Sequence, residues 1–581
     1  MQKRFFLMLF LFFLTCQQGR YSVDFIFLWK IPSLEKYVRL MPLGIDMESD
    51  DFYKKAGQIS SLIVKQEEEI SFELEIKKDP FLLFYPLTKI SKEEMVEYIV
   101  SVLYKDKVLK KFNFKLNYEI PPAPQRILIN LKEFEKRKIK LAFSGKVYGR
   151  ENLEIIWGSP FIIQKVKCQE NKNKNKNFLL ISIDTLRADA LGVYGRNPSI
   201  TPNIDSFARK SDLWLNCYST SNKTNPSFCS ILTGLYSKHH GIYNLVDPLP
   251  QNLITLSEIF REKGYETVAV VSAFHLHSGA NLCSRFSRYR VSEETFSTEE
   301  AIFETIDYLK NSKKPFFLWL HIFDPHTPHT PPEPFFSGYY ATEKFEYFPF
   351  NKFQKNRNIG HLEYMDNILL AHPEMYYDEV SYLDFSLAFL FNYLESNGFY
   401  NNTIVGFISD HGENLNEHGC ISDHNGLWET TTHIPLMLKL PLKEKGEVFH
   451  HFVQSIDLFQ TVLRLFNFEN LKNDGIDLYP SFKTSARNFI FAEALEENEI
   501  MVRSKKYSFK ILKKGNSFEM AIYDILKDPR ENNNLFIKEK EKAEKFLEFT
   551  NLFLKDKIIS WGRENISEEE IKKLKSLGYL Y

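Results

Sequence analysis

Residues 178–184 read FLLISID, an apolar run that stops on a carboxylate. A strand without polar alternation has both faces covered, as an inner strand of a parallel sheet does. Three later stretches repeat the pattern: TVAVVSAF (267–274), PFFLWLHIF (315–323) and NTIVGFISD (402–410). Between them lie helical stretches, NLITLSEIFREKG (252–264) and MYYDEVSYLDFSLAFLFNYLESNG (375–398). Strands alternating with helices predict an α/β domain with helices on both faces of its sheet. Ligands of such domains sit outside the carboxyl ends of the strands.

Upstream the character changes. NKNKNKN (171–177) is a polar run with nothing to pack, and it reads as part of a linker over 169–177. Before it, SFELEI (71–76), EYIVSVLY (97–104), FNFKLNY (112–118), RILINL (126–131) and KIKLAFSG (138–145) are short strand-like stretches with much period-two alternation. They predict an antiparallel β-sandwich over 22–168. The start, MQKRFFLMLFLFFLTC, has a basic end and an apolar run too short to span a bilayer comfortably, which suits an export signal over 1–16. Cys16 sits where a lipoprotein would be acylated, so the expected location is the periplasm or cell surface, either lipid-anchored or after a plain signal peptide.

At 581 residues the chain is long enough for two to four folding units. With 74 Lys plus Arg against 75 Asp plus Glu it has no overall field to attract polyanions, so nucleic acid is not an expected partner. The five cysteines after Cys16 lack CxxC spacing, which argues against both zinc clusters and a disulfide framework, although one bridge stays open.

Two apolar strands end in chemistry-bearing residues: Asp184 with Thr185, and Asp410 with His411. Carboxylates at the ends of parallel strands can converge on one divalent cation, with an imidazole adding a nitrogen ligand. Each aspartate alone is more often a helix cap, and it is their combination that points to a cation.

Several strings, in order, resemble the sulfatase family of the alkaline phosphatase superfamily. They are ISIDTLRADALGVYG (181–195), TPNIDSFA (201–208), TNPSFCSILTG (224–234), HIFDPHTPH (321–329), ISDHGENLNEHG (408–419) and DHNGLWETTTHIPLML (423–438). YDILKDPRENNNL (523–535) and SEEEIKKLKSLGYL (567–580) are similar to closing segments of bacterial members. The resemblance implies an alkaline-phosphatase-like core over 178–480, completed by a carboxyl-terminal subdomain over 481–581. It also implies a hydrolase acting through a covalent intermediate on a nucleophile at position 224. Asp184, Thr224, Asp410 and His411 would hold the metal, calcium or magnesium for an oxygen-rich site, with zinc or manganese kept open by His411. His326 matches the loop histidine that assists the leaving oxygen, and His424 falls where relatives carry a lysine that contacts the anion. His321 could support that loop or simply be buried. The implied partner is an anionic phosphate or sulfate ester, on a glycan or a lipid.

The departures narrow this. Dedicated sulfatases place a cysteine or serine, converted to formylglycine, where Thr224 stands, and an arginine where Phe228 stands. Ala273 replaces a lysine, and His275 takes the histidine position that follows. Cys229 is out of register for the nucleophile. Threonine cannot give the aldehyde, which favours phosphoryl esters, while sulfate esters stay open. Thr224 could instead cap its helix, and loss of two cations leaves open a non-catalytic surface protein binding an anionic glycan or lipid headgroup. Glu429 and His433 read as structural supports, and RSKKYSFKILKK (503–514) as a solvated hairpin.

Overall fold

The structure is a computed structural model that describes residues 21–43, 57–88, 94–117, 126–167, 176–273, 275–291, 296–327, 329, 331–332, 335, 373–420, 422–479, 487–494, 498–514 and 517–555. The expected export signal, Cys16, most of the linker and the terminal segment from Ser567 lie outside the described residues.

The alternating stretches upstream form two antiparallel sheets. One runs in the order Val38–Leu43, Gly57–Lys65, Glu154–Lys167, Lys78–Pro86, Ile127–Asn130, with Tyr21–Phe27 also paired to Glu154–Lys167. The other runs Glu69–Glu75, Lys138–Tyr148, Met95–Tyr104, Lys107–Asn117. Alternation is visible in Glu69–Glu75, where Ile70, Phe72 and Leu74 are buried between exposed or half-buried neighbours.

FLLISI is the central strand of an eight-stranded sheet: β1 (Asn177–Ile183), β2 (Asp212–Tyr218), β3 (Glu266–Val271), β4 (Arg288–Val291), β5 (Phe316–Ile322), β6 (Thr403–Ser409), β7 (His433–Lys439) and β8 (Val448–Gln454), in the order β4-β3-β5-β1-β6-β7-β2-β8. Among these strands only β7 runs against the rest. Both faces of β1 are covered as its composition requires. Leu179, Ile181 and Ile183 enter one apolar layer, Phe178 and Leu180 the other. Asn177, which the sequence leaves in the linker, is the first residue of β1 and is buried.

The helices that matter to the site are α1 (Pro202–Arg209), α2 (Thr224–Thr233), α3 (Thr298–Asn311) and α4 (Pro373–Ser396). A final four-stranded antiparallel sheet spans Ile490–Ala494, Glu499–Arg503, Tyr507–Lys514 and Ser517–Asp524. Its basic hairpin departs from the solvated reading. Arg503 and Lys510 are buried, and they pair with Glu429 and Glu531. Lys510 also lies over the ring of Trp428, so a long cationic stem covers apolar surface there.

The sandwich shares a core with the central domain. Phe161 meets Phe303 of α3 at 4.7 Å between ring centroids, and Phe25 meets Phe389 of α4 at 6.0 Å. Arg126 forms a buried ion pair with Glu299 on α3, under the ring of Tyr85. Removing one partner strands a buried charge, so Arg126→Met is expected to lower stability by about 3–5 kcal/mol. Urea unfolding reads this, and a loss below about 1 kcal/mol would show that the pair does not hold the two layers together.

Beside it, Glu300 accepts from the Ser60 backbone N–H at 3.0 Å and from the Ser60 hydroxyl at 2.6 Å. Burial, and then the charge of Glu304, push its carboxyl up from 4.5 to about 7. The folded state therefore binds a proton that the unfolded chain has lost, and stability falls as pH rises from about 4.5 through about 7. Glu300→Gln, which keeps partners for Ser60, is expected to be more stable than wild type at pH 8 by up to about 3 kcal/mol, with the gap closing below about pH 4.5. Melting curves across pH for both proteins test this, and a constant gap would contradict it.

Candidate functional site

β1 and β6 are adjacent and parallel, with Ile183 opposite Ser409, so the next residue of each, Asp184 and Asp410, leaves the sheet side by side. His411 follows, and ligand atoms of these three buried residues lie within 4.8 Å of one another. Asp410 Oδ1 accepts the backbone N–H groups of Thr185 (3.2 Å) and His411 (2.8 Å), while Oδ2 has no hydrogen bond. Oδ2 instead faces His411 Nε2 at 3.5 Å, and Asp184 Oδ1 faces the same nitrogen at 3.8 Å. His411 Nδ1 donates to the Gly412 carbonyl at 2.9 Å, so Nε2 is the nitrogen turned to the carboxylates. Two carboxylates and an imidazole nitrogen converging at one point fit a divalent cation. The electrostatics agree: burial, then the charge of Asp184, push the Asp410 carboxyl up to about 6, a repulsion that a bound cation relieves.

Thr224 is the first residue of α2, and its Oγ1 lies 3.3 Å from His411 Nε2. Capping does not account for it, because the N-cap of α2 is Lys223 and carries no side-chain cap bond. One turn on, Phe228 is fully buried and sets its ring edge-on to His321 at 4.8 Å. His321 Nε2 lies 3.6 Å from Asp184 Oδ2, and burial holds its pKa down at about 4. An apolar wall and a neutral imidazole thus stand beside the cluster. Ala273 is packed in the same apolar layer, and the side chain of His275 lies outside the described residues.

The His424 ring lies 4.7 Å from that of His411, and the His326 ring 5.7 Å from that of His424. His326 Nδ1 donates to the Thr327 carbonyl at 2.6 Å, which makes Nε2 the nitrogen able to exchange a proton. The structure therefore brings all six candidates to one place at the carboxyl ends of β1 and β6. Cys229 is buried in the apolar layer behind, where desolvation pushes its thiol far up and makes it inert. Glu429 and His433 pair with each other at 3.0 Å, and Glu429 also with Arg503, so they brace the last sheet against the core.

Contacts and a backbone turn that shape the site escaped the sequence reading. Thr185 has a left-handed backbone (φ 51°), costly for a β-branched residue, and the Tyr376 hydroxyl of α4 steadies it by donating to the Thr185 carbonyl and accepting from Arg187 N–H, both at 2.9 Å. Arg187 in turn reaches the Glu413 carbonyl at 3.2 Å and Glu417 at 2.9 Å, tying the loop after β1 to the loop after β6. No local pattern marks these partners, which come from distant segments.

The sequence profile of the sulfatase family matches residues 176–468, half of the chain, and those residues contain the whole cluster. The chain belongs to the sulfatase family. This sulfatase-family hydrolase is 25% identical over 448 residues to an arylsulfatase of Clostridium perfringens, covering 63% of this chain and 91% of the relative. It is 26% identical over 381 residues to human iduronate 2-sulfatase, covering 53% and 68%. Among solved structures, the phosphonate monoester hydrolase of Agrobacterium radiobacter superposes with a TM-score of 0.55 at 18% identity, covering 65% of this chain and 95% of the other. A protein solved with its substrate D-glucosamine-2-N,6-O-disulfate superposes with a TM-score of 0.53 at 20% identity, covering 66% and 99%. The fold of the family, a central sheet with helices on both faces, is shared, and here a strand-rich region precedes it. Among the described residues no helix is long and apolar enough to cross a membrane.

Proposed function

We propose that this protein hydrolyses phosphate or sulfate esters through a covalent intermediate on Thr224. The observation that carries the reading is the 3.3 Å contact of Thr224 Oγ1 with His411 Nε2, in a buried cluster of that imidazole and two carboxylates. Asp184, Asp410 and His411, with Thr224 itself, would hold a divalent cation, calcium or magnesium by the oxygen-rich donor set. When bound, it supplies Lewis acidity that lowers the pKa of a hydroxyl and offsets charge on the transferring group.

Thr224 releases its hydroxyl proton to solvent water, its oxygen bonds to phosphorus or sulfur, and the bond to the leaving alcohol breaks. His326, through Nε2, delivers a proton to the leaving oxygen. His424, between His326 and His411, would contact the anionic oxygens. The backbone N–H groups that open α2 face the same anion. Water then attacks the intermediate, releases the acid and restores the hydroxyl. Threonine cannot become an aldehyde, so phosphoryl esters suit this nucleophile better than sulfate esters. Similarity to sulfatases, and to a protein whose substrate is a sulfated sugar, supports an anionic ester.

One observation favours a second reading. Phe228 and Ala273 are buried apolar residues where cations would otherwise grip the anion, as a binding protein with a decayed site would have. Turnover of aryl phosphate monoesters, phosphodiesters and sulfates with added magnesium, calcium, manganese or zinc separates the two. Metal-dependent turnover supports the hydrolase; a folded protein that binds metal and turns over none of these esters supports the binder.

A further inference from the structure

Beside the cluster lies a second group of buried ionisable side chains that the reaction above does not use. His329, in the loop after β5, is fully buried, and so are Glu413 in the loop after β6 and Glu379 on α4. His329 Nδ1 lies 3.3 Å from Glu379 Oε2, and Nε2 lies 3.7 Å from Glu413 Oε2. The second distance is that of an ion pair and not of a hydrogen bond. The carboxylates face opposite ring nitrogens, so their oxygens do not converge with one nitrogen as ligands of a single cation would.

We infer that His329 is a positioning residue, which clamps the loop carrying His326 to the loop carrying Asp410 and His411; the inference rests on the reading of those residues given above. His329 Nδ1 lies within hydrogen-bond reach of Glu379, while Nε2 lies 3.3 Å from the Thr327 hydroxyl of its own loop and faces Glu413 just beyond that reach, so one ring packs between the three segments. Each carboxylate contact crosses between segments. Glu379 belongs to α4, and Glu413 stands two residues beyond His411. Tyr376, one turn before Glu379, holds the Thr185–Arg187 turn, and its ring lies 5.6 Å from that of His329. The first turns of α4 thus touch the loops after β1 and β5, and His329 joins the second of these to the loop after β6. Coordination distances tolerate only about 0.2 Å, so a loop released from this joint misplaces its ligands.

The test is a coupling cycle on the full chain: His329→Gln, Glu379→Gln and the double variant, with circular dichroism to establish folding. Magnesium and calcium affinity are read by calorimetry, and kcat and KM with an aryl ester the wild type accepts. Each single variant is expected to weaken metal affinity and lower kcat by about 10–100-fold with KM little changed. The double variant should fall within about threefold of the weaker single, because both break one joint. Glu379→Asp, which keeps the charge but withdraws the oxygen, replaces Glu379→Gln if that variant does not fold. A folded single variant within twofold of wild type in both affinity and kcat, or losses that multiply in the double variant, would overturn the clamp. If the wild type turns over no ester, the hydrolase reading fails, while the affinity cycle still decides the clamp.

Discussion

Thr224→Ala is expected to lower kcat by at least about 10³-fold for any ester the enzyme accepts, because it deletes the attacking oxygen and nothing nearby replaces it. The variant should still fold. Thr224 begins α2 without capping it, and the apolar positions that seat the helix, Phe228, Ile231 and Leu232, are untouched. Metal affinity should fall by no more than about tenfold, since Asp184, Asp410 and His411 remain. Thr224→Ser, which keeps a hydroxyl at the same position, should retain activity within roughly tenfold of wild type. Steady-state kinetics and calorimetry on the three proteins check this. Equal activity in Thr224→Ala would remove the nucleophile from the account.

The second large effect is on the cation. Asp410→Asn keeps an oxygen for the backbone N–H groups of Thr185 and His411 but turns an amide N–H₂ toward His411 Nε2, 3.5 Å from the present Oδ2. A donor there occupies the lone pair that would otherwise face the metal, so affinity is expected to fall by more than about 10²-fold, and turnover with it. The metal-free protein should respond in the opposite sense. The Asp410 carboxyl is pushed up to about 6 by burial and by Asp184, so its charge costs stability at neutral pH when no cation is bound. Metal-free Asp410→Asn should therefore melt above metal-free wild type, and below metal-loaded wild type. Scanning calorimetry with and without chelator reads both differences. A variant that binds metal as wild type does would exclude Asp410 as a ligand.

The central sheet was legible because FLLISID, PFFLWLHIF and NTIVGFISD carry their burial in their composition, and unbroken apolar strands can only be inner strands. Asp184 and Asp410 were legible for the same reason: each ends such a strand, and parallel neighbours must place their ends together. His411 was legible beside Asp410 at the same strand end, whereas Thr224, His326 and His424 were reached through resemblance, since spacing alone does not tell a site histidine from a buried one. What escaped depends on contacts between distant segments. Arg503 and Lys510 look solvated in a basic string, yet Glu429 and Glu531 bury them. Arg126 and Glu299, separated by 173 positions, carry no mark of the pair that fixes the sandwich to α3. His329 stands in plain sight in DPHTPH, but its meaning depends on Glu379, which reads as one more residue of a helical stretch. The left-handed turn at Thr185 is invisible because threonine is a poor predictor of that conformation.

The most direct test of the account is to mix the enzyme with an ester it turns over and a divalent cation, quench in acid during turnover, and locate any adduct by high-resolution peptide mass spectrometry. A phosphoryl or sulfo group on Thr224 that requires the cation and is absent from Asp410→Asn is the predicted result, and its exact mass also tells phosphorus from sulfur. Turnover that continues in Thr224→Ala, with no adduct on Thr224 in the wild type, would contradict it.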